Sequence, residues 1–275
     1  MELLSDALII RIQNDIIDRL LQNDYGSAIS NISSILGQMH DTIPENKRIS
    51  YGIVHTIKIL SEYLYAHLTK ADAPLLQIAS KIFDGSDDPS VKGVAIGMMS
   101  YYGLSDYKAV LPYFESAAAS AKWELREHTQ MFFRKLIKKH PNEMKHYLKN
   151  LAKSPDANLR RFVAETLRPV QENQWFYKQP EYPLSILRNI FKESAEYPRT
   201  AVGNNLSDLA RQLPDLVYKL VAELVASGDK NSYWIAYRAC RNLVKSDTIK
   251  VLDLLKTDEY KYKDRVYKRN ARKRN

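Results

Sequence analysis

With 275 residues, 45% of them hydrophobic and 27% charged, the chain can bury roughly 70 to 75% of the surface its unfolded form exposes, which excludes a disordered polymer. Nine Gly and eleven Pro are too few for a sandwich or barrel of many short strands, or for collagen-like or low-complexity sequence. The single cysteine, Cys240, excludes an internal disulfide, a Cys-rich zinc site and an iron–sulfur cluster, and suits a reducing cytoplasm.

Met1 to Gln13 interleaves Glu2, Asp6 and Arg11 with Leu and Ile, so no signal peptide is expected. The longest apolar stretches, such as Ala95 to Met99, are far short of the roughly 18 residues a membrane span requires, and the reading is a soluble chain without membrane contact. Apolar residues then recur at helical spacing, as in Leu8, Ile9, Ile12, Ile16 and Leu20, and again in Ile53, Ile57, Leu60 and Leu64. Stops fall between the periodic segments at Asp24-Tyr25-Gly26, Asp84-Gly85, His140-Pro141, Arg168-Pro169 and Leu213-Pro214. About twelve to fourteen helices follow, with no alternation of strand and helix and hence no Rossmann or P-loop site.

Five segments of similar pattern align without gaps. They begin at Val91, Leu125, Leu159, Pro198 and Ile235, and each meets a bulky apolar residue eight places on: Met99, Phe133, Leu167, Leu206 and Leu243. The spacings of 34, 34, 39 and 37 are those of an all-α, HEAT-like α-solenoid of stacked antiparallel helix pairs with a concave groove, predicted to span 1–256 as one domain. In such a fold the second helix of each pair commonly lines the groove. The third aligned column holds Gly93, Glu127, Arg161, Thr200 and Tyr237; the column one turn later holds Gly97, Met131, Glu165, Asn204 and Arg241. Arg161 and Glu165 lie off the apolar stripe of Phe162, Val163 and Leu167, and Arg168 extends their face. An isolated pair of this kind is an ordinary surface ion pair worth about 0.3 to 0.5 kcal/mol. Convergence with Glu127 favours a site.

Arg126, Arg160 and Arg199 share one repeat column, which suggests tracking of a regular phosphate backbone. Arg134, Lys135, Lys138 and Lys139, continued by Lys145, Lys149 and Lys153, are read as phosphate contacts or as a solvated face. From Thr257 to Asn275, eight basic residues stand against three acidic ones, so +5 of the net +9 lies in a tail where Tyr260, Tyr262 and Tyr267 are interleaved. This tail either meets phosphates and unstacked bases or is a solvated extension. His140 and His146 have no Cys or acidic partner at metal spacing, and no metal site is expected. No helix-turn-helix, zinc-finger or RNP signature is present.

Four stretches carry a family resemblance: Trp123-Glu124-Leu125-Arg126-Glu127, Asn158 through Pro169, Ala201 through Asp208, and Trp234 through Leu243. The run Arg160-Arg161-x-x-x-Glu165-x-x-Arg168-Pro169, followed one repeat later by Asn204-Asn205-Leu206-x-Asp208, resembles the HEAT-like-repeat DNA alkylation repair glycosylases, the AlkC/AlkD superfamily, and looks closer to AlkC. The resemblance spans roughly Arg48 to Lys245. It implies hydrolysis of the N-glycosidic bond of small N-alkylated bases, such as 3-methyladenine or 3-methylcytosine, without a fully flipped base. It also implies acidic active-site positions at Glu127, Glu165 and Asp208 with Arg161 beside them, and Trp123, Trp175 and Trp234 flanking the lesion. Three departures stand out: His128 where an aromatic or apolar residue is expected, a longer Val170 to Trp175 segment, and Arg238 in place of a histidine.

The chemistry is consistent with those residue types. An alkylated base is cationic and leaves readily, so the charge to be stabilised is the one developing on the sugar. A fixed carboxylate does this and orients the attacking water. Glu165 is the first choice, Glu127 shares the site, and Asp208 is third because it equally suits holding Arg211 or capping a loop. Trp123 either seals a repeat junction or stacks on the sugar; Trp234 either packs or meets the lesion; Trp175, lacking a helical partner, favours the ligand. Arg126, Arg160, Arg161, Arg168, Arg199, Asn204 and Arg238 complete the expected DNA contacts. The reading is a monomeric glycosylase acting on double-stranded DNA with no cofactor. The alternatives are a non-catalytic binder of damaged or branched DNA and a protein-interaction scaffold.

Overall fold

The computed structural model describes residues 3–269. Among them are sixteen α-helices and one two-stranded sheet, a few more helices than the periodicity alone resolved. Packing divides the chain into two compact units, 1–140 and 141–275.

In the first unit, α1 (Asp6–Arg11) is capped by Ser5 and runs through a π-helical turn, Ile12–Ile17, into α2 (Asp18–Leu21). Then follow α3 (Tyr25–Asp41), α4 (Glu45–Tyr51), α5 (Ile53–Lys70), α6 (Leu75–Asp84), α7 (Pro89–Tyr102), α8 (Tyr107–Ala119) and α9 (Trp123–Lys139). Helix starts are written locally: Asp24, Asp88 and Asp106 accept backbone N–H groups of the first turns of α3, α7 and α8. Helices α5, α7 and α9 lie side by side, with α6 and α8 packed on α7. Helix α7 is held close on both flanks at Gly97, where a Cβ atom would fall 2.2 Å from Ser61 Oγ and 2.9 Å from Phe132 Cζ.

The second unit repeats this plan with α10 (Pro141–Leu151), α11 (Ala157–Thr166), α12 (Glu181–Leu187), α13 (Glu196–Leu209), α14 (Pro214–Ala226), α15 (Lys230–Ser246) and α16 (Thr248–Leu255). Here α11, α13 and α15 lie side by side. The aligned segments of the sequence fall on α7, α9, α11, α13 and α15, the second helix of each pair. The segment set apart as a basic tail opens with a hairpin, β1 (Glu259–Tyr262) and β2 (Arg265–Lys268), paired Tyr260 to Tyr267 and Tyr262 to Arg265. It is ordered because Tyr260 is fully buried. Arg272, Lys273 and Arg274 lie outside the described residues.

The recurring arginine column has a structural cause. Arg126 donates to Ser120 O and Ala121 O at 2.6 and 2.9 Å, and Arg160 donates to Ser154 O and Pro155 O at 2.8 and 2.9 Å. Each guanidinium thereby satisfies carbonyls of the turn that precedes its own helix. Arg160 also grips the buried Glu193 with two bonds of 2.5 and 3.0 Å. Burial alone would raise the Glu193 carboxyl; the hydrogen bonds from Arg160, Ala195 and Ser194 outweigh it and hold it below the ordinary value.

A lowered native pKa means that this stabilisation is present above the unfolded value of about 4.3 and is lost as pH falls through the native one. Glu193→Gln is therefore expected to lower urea stability at pH 7 by about 1.5 to 3 kcal/mol, the range of a hydrogen bond to a charged group. The gap to wild type should narrow as pH drops below about 4. Parallel stability curves from pH 7 downward would sink this assignment.

Candidate active site

Helices α11, α13 and α15 bring the acidic and basic columns of the second unit into one buried network. Glu165, Arg161 and Asp208 are only 5%, 8% and 6% exposed. Arg168 spans the two carboxylates, with Nη1 3.2 Å from Glu165 Oε2 and both Nε and Nη2 donating to Asp208 Oδ2 at 3.0 and 2.5 Å. On the other edge of Asp208, Oδ1 receives Arg241 Nη2 at 3.0 Å and pairs with Arg211 at 3.4 Å. Arg161 pairs with Glu165 at 3.7 Å and stacks its guanidinium on Tyr197, 4.3 Å from the ring centroid. Burial works against the charge of Arg168, but Glu165 and Asp208 outweigh it and push its pKa up.

Neutral acceptors hold the remaining guanidinium edges. Asn204 Oδ1 accepts from Arg238 Nε at 2.9 Å and Arg241 Nη1 at 2.8 Å, and Ser207 Oγ accepts from Arg241 Nε at 2.9 Å. Arg199 donates to Asn231 at 2.7 Å. Arg199 and Arg238 both lie over Trp234, at 4.8 and 5.9 Å from its ring. Neither arginine is paired with a carboxylate among the described residues. Four guanidiniums thus share two carboxylates and two more are held by neutral acceptors, an excess of positive charge suited to phosphate oxygens.

The other expected residues are distributed unevenly. In the first unit Trp123 opens α9 with 58% exposure, so it does not seal a core. Glu127 is half-buried on the same helix and accepts a hydrogen bond from Gln130 Nε2. In the second unit Trp175 belongs to a 3₁₀ turn, Gln171–Tyr177, and packs on Phe176 and Tyr182 at 4.4 and 4.9 Å, which supplies the packing partner the sequence did not show. Asp208 holds Arg211, as one reading of the sequence allowed, and also Arg168 and Arg241. Arg241, Ser207, Tyr197 and Gln130 were not singled out as site residues. Arg241 stood in an aligned column, but its acceptors lie 33 to 37 residues upstream; Tyr197 gave no signal. Among the described residues no group of three or more His, Cys, Asp or Glu could hold a metal ion, and no helix is long and apolar enough to cross a membrane.

A model of the family described as DNA alkylation repair enzyme matches residues 52–249, a range that contains every one of these groups. The chain belongs to that family. Among curated protein sequences none matches. Of solved structures, AlkD2 from Streptococcus mutans is similar with a TM-score of 0.56 and 18% identity, covering 76% of this chain and 98% of its own. Pseudomonas fluorescens AlkC, solved bound to DNA containing an abasic site analogue, gives a TM-score of 0.57 and 19% identity over 89% of this chain and 67% of its own. Both likenesses show the repeated helical fold of the AlkC/AlkD superfamily; their near-equal scores favour neither branch.

Two departures from the expected family pattern have a common packing cause. His128 is buried against Gly93, where a Cβ atom would lie 2.7 Å from its Nδ1, and burial lowers its pKa. Arg238 runs past Gly203, where a Cβ atom would lie 2.6 Å from its Cβ and Cγ. In both cases a glycine makes room for a large side chain 35 positions later. Gly203→Ala is expected to force α13 from α15 and cost about 1 to 3 kcal/mol in chemical denaturation. Gly37→Ala is the control: it is exposed within α3 with nothing near its missing Cβ, and should gain about 0.5 to 1 kcal/mol. Equal effects at the two positions would contradict the close approach.

Proposed function

We propose that this chain is a DNA glycosylase of alkylation repair, hydrolysing the N-glycosidic bond of cationic N-alkylated bases of the 3-methyladenine or 3-methylcytosine type in duplex DNA. The observation that carries the reading is the buried Glu165 carboxylate held between Arg161 and Arg168, in a member of the DNA alkylation repair enzyme family. The solved AlkC is named an alkylpurine DNA glycosylase and was bound to DNA with an abasic site analogue, which is the kind of product this reaction leaves.

In the proposed reaction the C1′–N bond breaks and its electron pair neutralises the departing base. Positive charge then builds on the sugar. Glu165 stabilises that charge, accepts a proton from water, and the resulting hydroxide oxygen bonds to C1′. Asp208 has a different task, because three guanidiniums, those of Arg168, Arg211 and Arg241, converge on it: it fixes them in place. Arg199, Arg238 and Arg241 take phosphates, and Trp234, already faced by two of them, meets the lesion or its sugar. Trp123 on the first unit is exposed enough to contact DNA. The scheme uses no cofactor and one copy of the chain. The buried Cys240 thiol, pushed up to about 12 by burial, remains protonated and inert, in keeping with a cytoplasmic enzyme.

Purified protein should release free base from alkylated duplex. Glu165→Gln should slow single-turnover release by about 100-fold or more, with affinity for an abasic-analogue duplex nearly unchanged; Glu127→Gln should also slow it. DNA binding with no base release by the wild-type protein would replace the enzyme with a non-catalytic binder of damaged DNA. Binding that ignores salt would point instead to a protein scaffold.

A further inference from the structure

The hairpin that follows α16 is fastened to α15 through Tyr260 and the backbone of Lys261. Tyr260 is fully buried and stacks on Tyr237 with ring centroids 4.3 Å apart and planes 21° from parallel. Tyr260 Oη donates to Tyr237 O at 2.9 Å, while Tyr237 Oη accepts from Lys261 N at 2.6 Å and donates to Lys261 O at 3.0 Å. Tyr267 on β2 closes edge-on against Tyr260 at 6.2 Å, and Tyr233 ties the preceding turn by donating to Leu255 O at 3.0 Å. The mount is rigid at its root.

Its position on the helix is specific. Tyr237 occupies the same repeat column as Arg161, with Trp234 three residues before it and Arg241 four after, so these side chains share a face of α15. The hairpin therefore stands beside the arginine cluster of the candidate site.

The ion pairs of the hairpin lie near its root, while at the tip the exposed Asp264 stands between Lys263 and Arg265. Near the root, Glu259 pairs with Lys261 and Lys268 at 2.7 and 3.6 Å, and Arg269 pairs with Asp253 and Asp258. At the tip, Lys263 and Arg265 are exposed and have no carboxylate partner among the described residues. Three residues of extended chain carry the tip roughly 10 Å from the Tyr260 anchor. Lys263 holds a left-handed φ of 53°, which turns the chain so tightly that both cations sit at the end.

We propose that this hairpin is a second DNA-contacting element, whose tip cations Lys263 and Arg265 bind backbone phosphates of the duplex flanking the site on α11, α13 and α15. The inference rests on the functional reading above for the identity of the polyanion. A tyrosine-locked ribbon needs no ordering on association, so its two charges act at little entropic cost.

The test is Lys263→Asn with Arg265→Gln in the full chain, since Asn tolerates the left-handed turn. Anisotropy titrations of a labelled abasic-analogue duplex between about 50 and 200 mM salt should show the slope of log K against log salt reduced by about 2. Binding at the upper end should weaken roughly ten-fold, with the thermal midpoint unchanged. Single-turnover base release at saturating DNA should match wild type. A wild-type slope in the double variant overturns the hairpin proposal and leaves the functional reading standing. A wild-type chain without affinity for DNA overturns both.

Discussion

Three guanidiniums converge on the one buried carboxylate of Asp208, and the arrangement of the second unit depends on that meeting. Arg168 comes from the end of α11, Arg211 from just beyond α13, and Arg241 from α15. Their mutual repulsion in a partly dry environment is offset by Asp208, by Glu165 and by the neutral acceptors Asn204 and Ser207. Buried ion pairs are poor sources of net stability, because desolvation consumes most of the Coulombic gain, and packed apolar residues would hold helices together as well. The network instead fixes several positive charges in one geometry before any ligand arrives, which under the proposed function lowers the reorganisation needed to receive an anionic backbone.

Sequence periodicity reports the fold well and the site in part. Helices and their stops are local, so the 3.6-residue recurrence and residues such as Asp88 and Pro141 are sufficient to mark them. Arg161 and Glu165 are legible for the same reason, being one turn apart on one helix. Arginines that bond to main-chain carbonyls are not legible, because the acceptor leaves no trace in residue type. Arg126 and Arg160 consequently repeat for the sake of the turns before their helices. The hairpin is hard to see in the sequence because its strands are only four residues long and carry as many charged as apolar side chains. Contacts that leave no local pattern, among them the Tyr260–Tyr237 stack, the Tyr237–Lys261 bonds and the Arg269–Asp253 pair, hold that segment back against α15 and α16.

The glycine compensations show how a repeat tolerates variation at its functional columns. Gly93 accommodates His128 and Gly203 accommodates Arg238, so a bulky or charged residue enters the layer without spreading the helices. Arg238 reaches Asn204 and Trp234 only because Gly203 lets its stem pass.

The most direct measurement of the central claim is the stability of Asp208→Asn by urea denaturation, taken alongside its single-turnover base release. Removing the carboxylate charge shared by the half-buried Arg168 and Arg241 and the exposed Arg211 should cost about 3 to 5 kcal/mol, with any loss of release following the loss of folded protein. An Asp208→Asn chain of wild-type stability that releases no base would contradict the account and assign Asp208 to the chemistry itself.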